Sequence, residues 1–228
     1  MTRHRFLVIA VAAVMIAGCN RHRETRSENG QTGGIGTAGT DRNNVARSDK
    51  EFVHDTATAD ISLIELGTMA AEHAADDQVK EFGQLMNDAH TPAANQLKAI
   101  AAENSIEWPS ELDRKYRDER DTLMVKHGPD FDRQYISFTV DTHKDLVDKL
   151  ESRIDKKNLS QWKADYDDRA AGRSVSEHGA ELAIIPAASD NPVTMKINAW
   201  AAAVYPIEYA HLVSARAIDT ALKARPTN

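Results

Sequence analysis

Val79-Lys80-Glu81-Phe82-Gly83-Gln84-Leu85-Met86-Asn87-Asp88-Ala89-His90-Thr91-Pro92-Ala93-Ala94-Asn95-Gln96-Leu97-Lys98-Ala99-Ile100 is the stretch on which the fold turns. Val79, Phe82, Met86, His90, Ala93, Leu97 and Ile100 recur at steps of 3, 4, 4, 3, 4 and 3. That spacing draws one stripe along a helix, apolar except for a single histidine. Asp76-Asp77 breaks the chain just before it and supplies a cap.

Working outward, the same period recurs. Upstream, Phe52, Ala57, Ile61, Ile64, Thr68 and Ala71 mark a first helix rich in alanine. Downstream, Trp108-Pro109-Ser110 ends the second helix, and Ser110 with Asp113 reads as the start of a short helix reaching His127. Gly128-Pro129 stops it. A third long helix begins near Asp130, with Phe131, Tyr135, Phe138, Thr139, His143, Leu146, Leu150 and Ile154 on one side. Residues 158–192 lose the pattern, and Gly172, Gly179 and Pro186 mark them as an irregular insert with at most a short helix around Trp162 and Tyr166. The last helix runs from about Val193 to Lys223 on a stripe of Trp200, Val204, Ile207, His211, Ala215, Ile218 and Leu222, with Pro206 expected to kink it. No stretch alternates like a strand.

Four amphipathic helices, each with one apolar stripe, bury those stripes best as an all-α four-helix bundle. The tight link between the first two makes them antiparallel. The 106–129 connection holds a helix long enough to cross most of the bundle, which permits the ferritin-like crossover with the second and third long helices parallel.

The N-terminus speaks of address. Arg3 and Arg5 precede an apolar run from Phe6 to Ala17 that is too short to span a bilayer, closed by Ile16-Ala17-Gly18-Cys19. Residues 1–18 read as an export signal. Cys19, the chain's only cysteine, resembles the lipobox cysteine of bacterial lipoproteins, which implies a lipid-held mature chain. Residues 20–49 are polar and glycine-bearing, a tether rather than a folded segment, so the domains are signal 1–18, lipidated Cys19 and tether 19–49, and bundle 50–223. Asn20 after Cys19 favours the outer over the inner membrane.

Disulfides and thiolate chemistry are excluded by the lack of other cysteines. From Lys50 onward, 21 Lys and Arg face 31 Asp and Glu, a net of −10, which excludes nucleic acid as a partner. Lipid on Cys19 must therefore supply the membrane affinity.

His90, His143 and His211 each occupy a stripe position near mid-helix, and Glu65 lies near the middle of the first helix. Aligned helices would bring them to one depth as a buried layer of three imidazoles and a carboxylate. Such groups are costly to bury unless paired or bound, and they suit Fe, Mn, Zn or Cu. Glu208 stands three residues before His211, the spacing found in carboxylate-bridged bundles, and is an optional fifth ligand. Asp88, Tyr135 and Asp141 are candidates for holding the ligands from behind. Asn87 and Val140 stand where a second metal would need carboxylates, so a single ion, or none, fits better than a dinuclear centre. The alternative is a satisfied polar layer with no ion. His54, His73, His127 and His178 read as solvated, and Ser174-Val175-Ser176 with Glu177 and His178 lacks an orienting partner. No catalytic residue is assigned.

The segments Phe52-Val53-His54-Asp55-Thr56-Ala57-Thr58-Ala59-Asp60-Ile61 with Ile64-Glu65-Leu66-Gly67, Val79-Lys80-Glu81-Phe82-Gly83 with Met86 and Asp88-Ala89-His90-Thr91, Phe131-Asp132-Arg133-Gln134-Tyr135 with Asp141-Thr142-His143, and Pro206 with His211-Leu212 and Ala215-Arg216 resemble an exported bacterial family, domain of unknown function 4142. The resemblance covers roughly residues 50–222 apart from the insert, which is longer than the family's usual link. It implies a ferritin-like bundle outside the cytoplasm with no settled activity. Glu65, His90, His143 and His211 match the family's polar pattern.

The expected role is thus a lipid-anchored envelope bundle with a binding or structural function and no turnover. A metal-binding or redox bundle using the Glu/His layer is the alternative, and an acid-sensing histidine layer a third reading. The insert is expected to cover one end of the bundle, or to dock an envelope partner through Trp162, Tyr166 and Ile184-Ile185.

Overall fold

In the first helix, α1 (Arg47–His73), the buried seam is Val53, Thr56, Asp60, Leu63, Gly67 and Ala70, continuing to Ala74, at steps of 3, 4, 3, 4, 3 and 4. This computed structural model describes residues 45–171 and 182–225. The export signal, Cys19, most of the tether, His178 and Ser174-Val175-Ser176 lie outside the described residues. The other helices are α2 (Asp77–Glu103), α3 (Arg114–Met124), α4 (Gly128–Glu151), α5 (Lys156–Ala170) and α6 (Pro192–Lys223). The chain is all-α as expected; among the described residues only an isolated bridge, Ile154 with Pro186, interrupts the helical picture.

Side-chain caps set several helix starts. Asp76 accepts from the Gln78 amide, Asp155 from Asn158, and Asn191 from Val193 and Thr194. Pro129 and Pro192 fall in first turns, where a missing N–H costs nothing. The short helix begins after Asp113 and ends at Met124, so it is shorter at both ends than Ser110 to His127.

Polar contacts at the two ends fix the topology. At one end, the Asp132 carboxylate, in the first turns of α4, accepts from the amides of Ala75 and Asp76 between α1 and α2, at 2.9 and 3.0 Å. Arg225, just past α6, also pairs with Asp76 there. At the other end, Arg153 after α4 pairs with Asp49 at 2.6 Å, and Thr194 at the start of α6 donates to the same carboxylate. So α2 and α4 start at one end together, α1 and α6 at the other. The connection carrying α3 crosses the length of the bundle, which is the ferritin-like connectivity. The α4–α6 connection begins and ends at the same end. Around the bundle α1 touches α2 and α4, and α6 touches α2 and α4.

The α1–α2 pair is unusually close at Gly67 and Gly83. A Cβ on Gly83 would stand 2.6 Å from the Gly67 carbonyl oxygen, and one on Gly67 would stand 2.7 Å from the Gly83 oxygen. Only glycine fits at this crossing.

The insert is more ordered than its composition indicates. Helix α5 lays Trp162, fully buried, against Tyr205 and Tyr209 of α6, with ring centroids 5.4 and 5.5 Å apart. The Asn158 side chain then holds the returning strand-like segment, donating to the Ala183 carbonyl and accepting from the Ile185 amide. Trp162 is therefore spent on the bundle and not presented to a partner, whereas Ile185 is exposed. In α6 one stripe position also differs. Ile207 faces out, and its neighbour Glu208 faces in. Pro92 lies within α2 as Pro206 does within α6. No described helix is long and apolar enough to cross a membrane.

Candidate metal centre

Each of three helices delivers its polar residue to the bundle axis by the same means. His90 continues the α2 seam from Met86, His143 the α4 seam from Thr139, and His211 the α6 seam from Glu208 and Val204. All four polar side chains are 0–7 % exposed. One ligand atom from each of His90, His143, His211 and Glu208 lies within 4.8 Å of all the others. The individual gaps are 3.3 Å between the two Nε2 atoms of His90 and His143, and 3.7, 3.6 and 3.8 Å from Glu208 Oε2 to His90 Nε2, His143 Nε2 and His211 Nδ1. Four donors placed tetrahedrally about 2.0–2.2 Å from an ion stand roughly 3.3–3.6 Å apart.

The hydrogen bonds behind the rings fix where their lone pairs point. His143 Nδ1 lies 2.8 Å from the Thr139 carbonyl, which can only accept, so Nδ1 carries hydrogen and Nε2 a lone pair. His90 Nδ1 donates to Asp60 Oδ1 at 2.9 Å, which directs its Nε2 toward His143. The His143 Nε2 lone pair thus faces His90 Nε2 across 3.3 Å, where either a proton on His90 or a cation lies between the two rings. Glu208 Oε2 and His211 Nδ1 are buried with no hydrogen-bond partner. The cluster is a convergence of electron-pair donors.

Its electrostatics follow from burial and mutual charge. Burial pushes the Glu208 carboxyl up, but His90, His211 and His143 outweigh it and hold it down to about 2. Burial, helped by the neighbouring imidazoles, drives His143 down to about 3, against the pull of Glu208. Burial also opposes charge on His90, but Glu208 and Asp60 win and raise it above its ordinary value. Burial lifts Asp60 to about 6 despite its bond to His90. In the metal-free cluster Glu208 and Asp60 thus favour a proton on His90, while burial disfavours one on His143. A cation entering the site takes the place of that proton.

Of the residues expected at the site, the structure brings together His90, His143, His211 and Glu208, and it leaves Glu65 out. The Glu65 side chain is 41 % exposed and lies 3.6 Å from Arg120 of α3. The reason is rotational phase: the α1 seam runs through Asp60 and Leu63, so a residue two past Leu63 turns away from the axis. Asp88 and Asp141 are likewise exposed, Asp88 accepting from Gln84. Two residues along a helix is about 200° of turn, which aims them away from the histidines that follow. Tyr135 is fully buried, stacked on Phe131, and its hydroxyl has no hydrogen-bond partner; only its carbonyl connects to the site, through the Thr139 hydroxyl. Burial raises its phenol further above the ordinary range. His54, His73 and His127 are exposed. The residue missed by sequence reasoning is Asp60, and its signal was the unbroken 3-4 seam that carries it.

A family model described as Domain of unknown function (DUF4142) matches residues 36–164. The chain belongs to this family. The matched span takes in Asp60, His90 and His143 and ends within α5, so Glu208 and His211 lie beyond it. No curated protein and no solved structure matches the chain.

Proposed function

We propose that this protein is a metal-binding helical bundle of the cell envelope, holding one first-row transition-metal ion between α2, α4 and α6. The observation that supports this most is the meeting of four buried ligand atoms from His90, His143, His211 and Glu208 within 4.8 Å, two of them without any hydrogen-bond partner. Three imidazoles and one carboxylate are a donor set that suits Zn, Fe, Mn or Cu. Four protein donors fill a tetrahedral shell, which favours holding an ion over turning over a substrate, because catalytic ions keep a coordination position open.

The envelope placement rests on sequence: the basic start, the short apolar run and Cys19. Lipid on that cysteine would hold the bundle at a membrane surface, with the polar segment before Arg47 as its tether. Fatty-acid labelling that is lost in Cys19→Ser supports this placement, and labelling unchanged by the substitution overturns it.

The metal reading is tested by elemental analysis of the protein purified from its own envelope, followed by melting of the stripped protein with and without added Zn2+. At a free concentration 100-fold above Kd, the ion stabilises by about 2.7 kcal/mol. For a domain of this size that is roughly 5–11 °C. His143→Ala is expected to abolish the gain. Metal at trace level only, with no shift on titration, refutes the proposal.

A further inference from the structure

Asp60 sits in the same buried layer but behind a ring. Its Oδ1 takes the hydrogen bond from His90 Nδ1, so the imidazole stands between the carboxylate and the convergence point. It cannot be a ligand there without displacing His90. It is nonetheless 1 % exposed, and its Oδ2 has no hydrogen-bond partner. A buried carboxylate placed behind a ligand has two effects. It fixes which ring nitrogen offers its lone pair, and it adds a full negative charge to the neighbourhood of the ion.

The charge has no other counterpart nearby. The charges acting on Glu208 are the three histidines, and those acting on Asp60 are His90 and Glu208. Among the described residues the buried side chains include a single lysine or arginine, Arg153. It is committed to Asp49, eleven residues earlier on α1, roughly 16 Å along the helix. Three neutral imidazoles with two carboxylates carry two negative charges in a low-dielectric interior. A dication makes that assembly neutral. A monovalent ion leaves one negative charge unbalanced, and a trivalent ion one positive charge, each costly away from water.

Building on the metal reading above, we infer that Asp60 is the charge-balancing and positioning residue of this centre, and that it sets the site for a divalent ion against monovalent and trivalent ones.

The test compares the full chain with Asp60→Asn and Asp60→Glu, using chelator competition for Zn2+ and Co2+ and a separate competition for Cu+. Helical circular dichroism establishes that each variant is folded. In Asp60→Asn the side-chain oxygen still accepts from His90 Nδ1, so the ring orientation survives while the charge is lost. Expected is a Zn2+ affinity at least tenfold weaker than wild type. The Co2+ spectrum should stay that of a four-coordinate site, and the Zn2+ to Cu+ affinity ratio should fall. Asp60→Glu keeps the charge and is expected to bind Zn2+ more tightly than Asp60→Asn, which also serves if the asparagine variant does not fold, with wild type as reference. Wild-type binding matched by Asp60→Asn within threefold, or an unchanged Zn2+ to Cu+ ratio, overturns the inference and leaves the metal reading standing. Absence of binding by the wild type itself removes both.

Discussion

Replacing Gly83 by alanine separates the packing of the bundle from the helix preference of its residues. In an unconstrained helix the change should stabilise by about 1 kcal/mol, because alanine is the better helix former. Here the added methyl would stand 2.6 Å from the Gly67 carbonyl oxygen, 2.8 Å from the Ala71 amide nitrogen and 2.9 Å from the Ala70 Cβ. Two of these are backbone atoms, which cannot rotate aside. To restore an ordinary contact of 3.4 Å, α1 and α2 must part by about 0.8 Å at the crossing. Overpacking of this kind costs typically 1–3 kcal/mol. Against the propensity gain, a net loss of up to about 2 kcal/mol is expected, or a melting temperature lower by up to about 8 °C. The effect reaches the candidate centre as well. Gly67 and Gly83 lie seven residues from Asp60 and His90 on the same seam, two turns away, and the Asp60–His90 bond is 2.9 Å long. A rigid parting of 0.8 Å would stretch it beyond hydrogen-bonding range. Thermal melts of the metal-free Gly83→Ala protein, followed by Zn2+ titration, read both consequences. A variant that melts at or above the wild-type temperature would refute the close-crossing account.

Two further outcomes follow from the site. Because His90 is raised above 6.5 and must surrender its proton to an incoming cation, metal affinity is expected to weaken by up to about tenfold per pH unit below 6.5, whereas His143, at about 3, adds nothing there. Competition titrations giving equal affinity at pH 6.5 and 5.5 would contradict this. Glu65→Ala should leave metal affinity unchanged and alter stability by less than about 1 kcal/mol, since it removes only an exposed pairing with Arg120; a tenfold loss of affinity would show that Glu65 reaches the ion.

The fold was largely readable because hydrophobic period speaks plainly where the seam is apolar. The α4 stripe from Phe131 to Leu150 is buried throughout, and the α2 stripe holds from Val79 to His90. Where the seam is polar or small, the signal misleads. In α1 the axis-facing positions include Thr56, Asp60 and Gly67, so a search for apolar residues settles on Ile61 and Ile64 and turns the helix by about one position. That single shift brought Glu65 forward and hid Asp60. In α6 the same preference chose Ile207 over Glu208, although a buried carboxylate next to three imidazoles is far better accommodated than one in an apolar layer. The histidines were found because each had apolar neighbours one turn before and after. The order of the insert was hidden for another reason: it comes from the Asn158 side chain and the Trp162 rings, contacts between residues far apart that leave no period.

Half of the convergent donors travel on the C-terminal helix. A nascent or truncated chain ending before Pro192 can pair α1 with α2 and bring up α4, yet it presents only two facing imidazoles. The full quartet exists only after α6 has docked. Ion capture would accordingly act as a latch on the last step of assembly, drawing its cargo from whichever compartment that step takes place in.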